Sequence, residues 1–390
     1  MGLSAKEQAG RIEKIFRDKF LTTPRMYFSP GRINIIGEHV DYNDGFVMPA
    51  AIDRGIYYAI ALNNSTQVNV IAPDLGQEFS FEADNIQKNK GWRNYILGVL
   101  DQFQKEGKTI PGFDCVLGGD LPSGAGMSSS AAVECGLAWS LNELMGWNFG
   151  RVKIAKLCQL AEHTYPGVMC GIMDQFANMM GKEGSAMLLD CRSLEYRYLP
   201  LPLEDYTILM INTRVHHSLA SSEYNLRREQ CEEGVHIIQQ HLPAVQALRD
   251  IKEKDLYDFI DLMPSETFQK CLFVVQEISR TRQAAKLLDQ GRLADLGSLM
   301  FNTHEGLSKL YKVSCDELDF LVEEAAKEPA VLGARMVGGG FGGCTINIIQ
   351  RDSVREFSHR TLERYKITFN LRAEVYEVKI WEGTHELNAK

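Results

Sequence analysis

The segment SPGRINIIGEHVDYNDG, residues 29–45, places an arginine, two acids and an imidazole close together. Pro30 and Gly31 predict a turn, and Arg32 follows it in an otherwise apolar stretch. The next polar cluster, within four residues, comprises Glu38, His39 and Asp41. Carboxylates accept hydrogen bonds from hydroxyl groups, and a histidine can donate or accept, so this crowding suits a ligand with several hydroxyls. The alternative is a polar surface loop, the commonest meaning of such a string.

A second segment, LPSGAGMSSSAAVE at 121–134, joins a predicted strand to a predicted helix. Backbone amides at a helix N-terminus bind anions, and glycines let the backbone approach a phosphate closely. Hydroxyls in the first helical turn could bind phosphate oxygens or a magnesium ion. The alternative is a glycine-rich turn with serine caps. Three consecutive serines, residues 128–130, favour anion binding.

Two other phosphate-binding motifs are excluded. A Walker A loop needs a glycine five residues before its Gly-Lys-Thr, but position 102 is glutamine before Gly107-Lys108-Thr109. The segment 338–343 fits the dinucleotide pattern G-x-G-x-x-G. It lies near the C-terminus between two predicted strands, however, and no helix begins there, so it does not indicate NAD binding.

A third segment, CGIMDQFANMMG at 170–181, places Asp174 among apolar residues on a predicted helix. A carboxylate in apolar surroundings is either an N-cap or a functional group whose desolvation serves a purpose. By itself N-capping is favoured, because aspartate is a common cap. Glu162, in AEHTYPG, is equally ambiguous.

The elements that must position these groups alternate between strand and helix. The predicted strands are 55–62, 66–72, 112–119, 185–190, 206–213 and 373–380. The predicted helices are 1–20, from 128, 151–165, 171–181, 220–242, most of 265–328, and 351–366. This pattern predicts an α+β protein with a domain boundary near 190–215.

Composition limits the class of protein. The chain has 390 residues, enough for roughly two or three domains, and its net charge of −9 argues against a nucleic-acid or anionic-membrane surface. Nine cysteines without a C-x-x-C predict a reduced protein without a disulfide framework or zinc site. The N-terminal stretch lacks a signal-peptide core, and no apolar run is long enough to cross a membrane. We therefore expect a cytoplasmic globular protein.

Together, these segments resemble the galactokinases of the GHMP family of small-molecule kinases. The segments that carry the resemblance are PGRINIIGEHVDYNDG (30–45), PSGAGMSSSAA (122–132), CGIMDQF (170–176), LLDCRSLE (188–195), SSEYNLRREQCE (221–232) and GGGFGGC (338–344). The second matches the family's phosphate loop, P-x-x-x-G-L-x-S-S-A, except that Met127 stands where leucine is usual. Methionine conserves the volume of leucine, so we expect no functional change.

The resemblance assigns roles by position. Arg32 matches the arginine that stabilises charge on the transferred phosphoryl group, and Asp174 matches the carboxylate near the reacting hydroxyl, usually called the general base. The sugar-binding positions are Glu38, His39, Asp41, Gly171, Asp174 and Tyr224. The nucleotide-binding positions are Trp92, near adenine, and the phosphate loop Gly124, Ala125, Gly126, Met127, Ser128, Ser129 and Ser130. Ser130 and Glu162 match the ligands of Mg²⁺.

The fold that the resemblance implies is a two-domain GHMP-kinase fold. Residues 1–200 would form an N-terminal domain with a left-handed βαβ unit, and residues 201–390 a ferredoxin-like C-terminal domain. The implied activity is ATP-dependent phosphorylation of galactose at its anomeric hydroxyl by a monomer. Two alternatives stay open: a kinase for N-acetylgalactosamine or another sugar, and a sensor that binds galactose and ATP without turnover.

Overall fold

The computed structural model describes residues 3–122, 124–215 and 220–387, apart from the side chains of residues 220 and 221. Ser123, in the segment 121–134, lies outside them. The helices are α1 (Ala5–Phe20), α2 (Arg93–Lys105), α3 (Ser129–Met145), α4 (Arg151–Thr164), α5 (Met173–Met180), α6 (Ala220–Gln239), α7 (Glu253–Leu256), α8 (Ser265–Asp289), α9 (Leu293–Gly306), α10 (Asp316–Ala326) and α11 (Val354–Phe369). The strands are β1 (Arg25–Asn34), β2 (Phe46–Val47), β3 (Pro49–Leu62), β4 (Gln67–Ala72), β5 (Gln77–Glu82), β6 (Phe113–Gly119), β7 (Ser185–Asp190), β8 (Tyr196–Pro200), β9 (Tyr206–Asn212), β10 (Val331–Val337), β11 (Cys344–Gln350), β12 (Glu374–Val378) and β13 (His385–Glu386).

The first sheet has six strands in the order β13-β1-β3-β6-β4-β5. Its pairs are antiparallel except for β4 and β6, which run parallel. Helix α1 packs against β3 and β6, burying Ile12 and Phe16. Helix α3 packs against β1 and β3, and α2 and α4 pack against one another and against α3. The handedness of the predicted βαβ unit stays a prediction.

Strand β1 corrects the predicted turn at Pro30 and Gly31. These residues lie inside the strand, and the pairing of β1 with β3 shifts register between Pro30 and Arg32. A β-bulge lets proline, which cannot donate to the ladder, remain within a strand. A Cβ on Gly31 would lie 2.9 Å from the carbonyl oxygen of Met127. The bulge therefore brings Arg32 directly against the segment 121–134.

The second sheet has four antiparallel strands in the order β10-β11-β9-β12. Numbered by their own sequence, this is the order 2-3-1-4, with helices between the first and second strands and between the third and fourth. That is the topology of a ferredoxin-like domain, so the predicted α+β fold class is confirmed. Helices α9 and α10 pack against this sheet.

The two halves of the chain share a hydrophobic core. One buried cluster includes Ile33 and Ile35, at and just beyond the end of β1, together with Met127, Val337 and Ile346. The chain also returns to the first sheet, because β13 pairs with β1. The division into residues 1–200 and 201–390 stays a prediction.

All nine cysteines, which lie within the described residues, are free thiols. Among residues 3–122, 124–215 and 220–387, no helix is both long and apolar enough to cross a lipid bilayer.

Helix α9 lies close to β10 because two glycines meet. A Cβ on Gly297 would lie 2.1 Å from the carbonyl oxygen of Leu332, and one on Gly333 would lie 2.4 Å from the Cα of Gly297. Real Cβ atoms essentially never approach so closely, so neither position accepts a side chain without moving the helix from the strand.

We predict that Gly297→Ala lowers the free energy of unfolding by about 1–3 kcal/mol, because the methyl group forces α9 away from β10. Gly10 is the matched control: it lies in the interior of α1, and a Cβ there has nothing within 4 Å. Gly10→Ala should raise stability by about 0.5–1 kcal/mol through helix propensity. Urea denaturation measures both. Equal effects of the two substitutions would contradict the packing argument.

Candidate active site

A cavity of about 110 Å³ lies where segments from both halves of the chain meet. The residues lining it are Arg32, Glu38, His39, Asp41, Glu162, Val168, Cys170, Met173, Asp174, Tyr224, Gly338 and Gly339. Seven of the residues that sequence analysis singled out therefore line one cavity, together with two glycines of GGGFGGC.

Arg32 and Asp174 form a bidentate ion pair. The Nε and Nη2 atoms of Arg32 each lie 2.8 Å from a carboxylate oxygen of Asp174. The Arg32 side chain is 5% exposed and that of Asp174 21%. Burial lowers the pKa of Arg32, but the negative charges of Asp174 and Glu38 outweigh it and leave the pKa raised. The guanidinium is therefore charged.

Asp174 is not the helix cap that its sequence context favoured. The N-cap of α5 is Ile172, without a side-chain cap bond, and Asp174 lies in the first turn. Its carboxylate instead accepts hydrogen bonds from Arg32 and from the hydroxyl of Ser128. The carboxylate is thus held at one orientation by two segments distant in sequence.

In the segment 121–134, the described residues before Ser129 connect β6 to α3, and residues 129–134 form the start of that helix. Gly124 and Gly126 have φ angles of +70° and +72°. Ser128, the N-cap of α3, has φ +59° and makes no side-chain cap bond, because its hydroxyl donates to Asp174. The simple serine-capped turn is therefore the wrong interpretation of this position. Ser129 and Ser130 occupy the first turn of α3 and are partly exposed.

The glycine segment 338–343 supports this loop from the C-terminal half. A Cβ on Gly126 would lie 2.5 Å from the carbonyl oxygen of Val337, and one on Gly338 would lie 2.9 Å from the Cα of Gly126. Gly338 also has a positive φ, of +84°. The glycines allow two backbones to touch, so close packing is a sufficient reason for the G-x-G-x-x-G string.

Glu38 is held by groups that sequence analysis missed. Its carboxylate accepts hydrogen bonds from the backbone N–H of Gly338 and the side-chain amide of Asn34. The Nη1 of Arg335, in β10, lies 3.4 Å from it. Arg335 is fully buried and also donates to the carbonyl oxygen of Ile35, at 2.9 Å. The sequence pattern that could have identified Arg335 is a charged residue within the apolar run ARMV, residues 334–337, directly before the glycine segment.

A second missed residue is Glu277, in α8. It is fully buried, and its carboxylate accepts a hydrogen bond from the backbone N–H of Gly37 at 2.8 Å and from the hydroxyl of Thr303. Gly37 has φ +97°. Glu277 thus fixes the backbone that leads into the cluster Glu38–Asp41.

Asp41 lies against Gly171. A Cβ on Gly171 would lie 2.0 Å from a carboxylate oxygen of Asp41, so only glycine leaves room for this carboxylate. Burial, with smaller contributions from the negative charges of Asp174 and Glu38, raises the pKa of Asp41 to about 7. Gly171 itself does not line the cavity. It leaves room for Asp41, which does, and its role in sugar binding stays a prediction.

The aromatic wall of the cavity consists of His39 and Tyr224, whose ring centroids are 5.3 Å apart. His39 has φ +60° and is 4% exposed. Burial lowers its pKa to about 4, so the imidazole is neutral at pH 7. Its Nδ1 lies 2.8 Å from the hydroxyl of Tyr42, whereas its buried Nε2 makes no hydrogen bond of ordinary geometry with the described residues.

Glu162 and Ser130 lie within hydrogen-bond distance of one another. Burial and the charge of Asp174 raise the pKa of Glu162 to about 7, although a hydrogen bond with Ser130 opposes the shift. The missed residue here is Gln175, whose Nε2 donates to Glu162 at 2.7 Å and to Glu134 at 3.2 Å.

The donor set of Glu162 and Ser130 fits Mg²⁺. No group of three or more His, Cys, Asp or Glu residues within the described residues could hold a metal ion. Mg²⁺ commonly takes one or two carboxylates and obtains its other ligands from water and substrate phosphates. A buried carboxylate beside a hydroxyl and a candidate phosphate loop meets that requirement.

Trp92 does not line the cavity. Its Nε1 donates to the side chain of Gln77 at 2.8 Å, and its ring packs edge-on against Phe79 with centroids 5.3 Å apart. Its role beside adenine stays a prediction.

Known families match three stretches of the chain. A galactokinase galactose-binding signature matches residues 14–62, the GHMP kinase N-terminal domain residues 94–182, and the GHMP kinase C-terminal domain residues 284–366. The galactokinase of Roseiflexus sp. (strain RS-1) is 38% identical over 376 residues, covering 96% of each chain. That of Bacillus subtilis (strain 168) is 38% identical over 391 residues, covering 99% of this chain and 100% of the relative.

Solved structures of a galactokinase and of other kinases are also similar to this chain. Lactococcus lactis galactokinase, complexed with galactose, superposes with a TM-score of 0.93 at 34% identity and covers 97% of this chain and 99% of its own. The mevalonate kinase of Methanococcus jannaschii superposes with a TM-score of 0.63 at 17% identity, covering 92% of this chain and 99% of its own. The second likeness concerns the fold alone.

The raised pKa of Asp41 predicts a pH-dependent cost to stability. The folded chain binds a proton at Asp41 more tightly than the unfolded chain does, so its contribution to stability falls as pH rises from about 4 to about 7. Asp41→Asn removes this cost. Between pH 5 and pH 8, the free energy of unfolding of the variant should rise by about 2 kcal/mol relative to that of wild type.

Urea denaturation of the ligand-free protein at both pH values measures the difference. Asp84→Asn is the control, since Asp84 is an exposed carboxylate. An Asp41→Asn stability difference that is the same at pH 5 and pH 8 would contradict the assignment.

Proposed function

Since the chain belongs to the galactokinases of the GHMP kinase family, we propose that it transfers the γ-phosphoryl group of ATP to the anomeric hydroxyl of α-D-galactose. The product is α-D-galactose 1-phosphate. The observation that carries the proposal is the Arg32–Asp174 ion pair, because it lies in the polar cavity and also contacts the glycine-rich loop through Gly126 and Ser128.

The cavity offers several groups that suit a sugar. The carboxylates of Glu38 and Asp41 accept hydrogen bonds from hydroxyl groups, and the Nε2 of His39 supplies one more polar contact. The Tyr224 ring gives an apolar face against which a pyranose can lie. Fixing the sugar in one orientation lowers the barrier by converting a bimolecular encounter into a positioned one.

Asp174 would accept the proton of the anomeric hydroxyl while that oxygen bonds to the γ-phosphorus and the bond to the β-γ bridging oxygen breaks, releasing ADP. Arg32, bound through two nitrogens to Asp174, favours the ionised carboxylate. A carboxylate is a weak base for an alcohol. In a loose transition state the proton leaves late, so orientation by Asp174 matters more than base strength.

The loop 124–130 would hold the ATP phosphates through backbone amides at the start of α3. Arg32 would stabilise the charge that develops on the transferred phosphoryl group. Ser130 and Glu162 would hold Mg²⁺. When bound, the ion neutralises charge on the phosphates.

Substrate choice is tested by an ADP-release assay with Mg-ATP and matched concentrations of galactose, N-acetylgalactosamine, glucose, arabinose and mevalonate. We expect strong turnover with galactose and little with the acetamido sugar. Faster turnover with N-acetylgalactosamine would reassign the substrate. Absence of turnover, combined with a melting temperature raised by galactose, would indicate a sensor.

Asp174→Asn nearly preserves shape but removes the proton acceptor. We expect kcat for galactose to fall by about 10²–10⁴-fold, with galactose binding retained by the other cavity residues. Initial-rate kinetics and isothermal titration with galactose measure the two effects. Asp84→Asn, an exposed carboxylate, is the control. Near wild-type kcat in Asp174→Asn would exclude the proton-acceptor role.

A further inference from the structure

A chain of side-chain hydrogen bonds leads away from His39 into the helical part of the C-terminal half. The Nδ1 of His39 lies 2.8 Å from the Tyr42 hydroxyl. That hydroxyl lies 2.7 Å from the hydroxyl of Tyr311, which in turn lies 3.4 Å from the Sγ of Cys231. A series of three polar groups therefore connects to the Nδ1 of His39: the hydroxyls of Tyr42 and Tyr311 and the thiol of Cys231.

The other imidazole nitrogen faces the sugar cavity. His39 lines that cavity, and its buried Nε2 makes no hydrogen bond of ordinary geometry with the described residues. The backbone of Gly339, also in the lining, interacts with the imidazole weakly and only partly opposes the lowering of the His39 pKa by burial. A buried polar atom without a partner costs free energy, which a ligand hydroxyl would recover. Whichever way the hydroxyls donate, the Nδ1 of His39 is occupied by Tyr42, so a ligand hydroxyl would meet the imidazole at Nε2, in place of its weak interaction with the backbone of Gly339.

Tyr311 is anchored where a helix departs from regular geometry. It ends a π-helical turn, Leu307–Tyr311, and π-turns occur frequently at functional sites. The carbonyl oxygen of Leu310 accepts a hydrogen bond from Lys270 at 2.8 Å, and that of Tyr311 accepts one from Arg227 at 3.0 Å. Buried cations on two other helices thus hold the turn that carries Tyr311.

Ring contacts also restrain the side chain of Tyr311. It is fully buried and packs against Phe273, with ring centroids 4.8 Å apart. It also contacts the ring of His39, with centroids 4.9 Å apart. Tyr311 therefore restrains the imidazole both by ring contact and through the hydroxyl of Tyr42.

We propose that Tyr42 and Tyr311 are positioning residues for the sugar. Their hydroxyls hold the His39 ring in the one orientation that presents Nε2 to the cavity. Neither tyrosine lines that cavity. The two hydroxyls reach it through His39, whereas the ring of Tyr42 also packs edge-on against Tyr224, with centroids 5.6 Å apart. Phenylalanine keeps that ring contact, so removal of the hydroxyl tests the path through His39 alone. The inference rests on the proposed function, and it adds two residues from outside the binding site to its machinery.

Removal of single hydroxyls tests the proposal. In Tyr42→Phe the KM for galactose should rise about tenfold, with kcat within about twofold and the KM for ATP unchanged. The imidazole keeps its ring contacts but loses the hydrogen bond that aligns it, which weakens a sugar contact made equally in ground and transition states. Tyr311→Phe should raise the KM for galactose about threefold, since Tyr42 keeps its bond to His39 but loses its support.

The double variant distinguishes a chain from two separate effects. If Tyr311 acts through Tyr42, the KM for galactose of Tyr42→Phe/Tyr311→Phe should equal that of Tyr42→Phe alone. Multiplied effects would overturn the chain. Tyr365→Phe is the matched control: Tyr365 is also fully buried, and its hydroxyl donates to the carbonyl oxygen of Thr213 at 3.0 Å, outside the cavity. It should lose comparable stability without a change in the KM for galactose.

The orientation of the imidazole has a readout that does not depend on turnover. Histidine labelled with ¹⁵N, assigned by comparison with His39→Ala, should show a changed His39 signal in Tyr42→Phe and an unchanged one in Tyr365→Phe. An unchanged signal together with an unchanged KM would overturn the proposal. If wild type does not phosphorylate galactose, the proposed function fails, whereas the hydrogen-bond chain is still tested by the ¹⁵N signal.

Discussion

The site depends on one largely buried ion pair, that of Arg32 and Asp174, whose side chains are 5% and 21% exposed. Taking two charges out of water costs several kcal/mol for each ion, and mutual attraction repays this only when geometry and further hydrogen bonds are good. Both conditions are met here: the pair is bidentate, the carbonyl of Gly126 accepts from the guanidinium, and the hydroxyl of Ser128 donates to the carboxylate. Strand β1, helix α5 and the loop before α3 must therefore keep fixed relative positions for the pair to remain favourable.

Other contacts hold the site in place from the C-terminal half of the chain. Arg335 binds the backbone beyond β1, Glu277 binds the N–H of Gly37, and Gly338 packs against Gly126. Each of these groups is distant in sequence from the residue that it supports. The cavity consequently forms only when both sheets are folded and docked.

Local sequence patterns were sufficient for most elements and for the residues that line the cavity. Strands such as β6 and helices such as α3 follow from period and glycine placement, and the resemblance named Arg32, Glu38 and Asp174, which line one cavity. Strand β1 was missed because Pro30 and Gly31 have the composition of a turn, and only pairing with β3 reveals a bulge. Arg335 and Glu277 were missed because their partners are backbone atoms on other elements, which no local pattern encodes.

The pairing of β13 with β1 has a consequence for how the protein is made. Arg25 and Glu386, which form an ion pair across these strands, are 361 positions apart. During synthesis on the ribosome, the edge of β1 that pairs with β13 therefore has no partner strand until these 361 positions have been made. Open strand edges are where nascent proteins misassociate. The late pairing with β13 therefore leaves this edge of β1 open to other strands until β13 has been made.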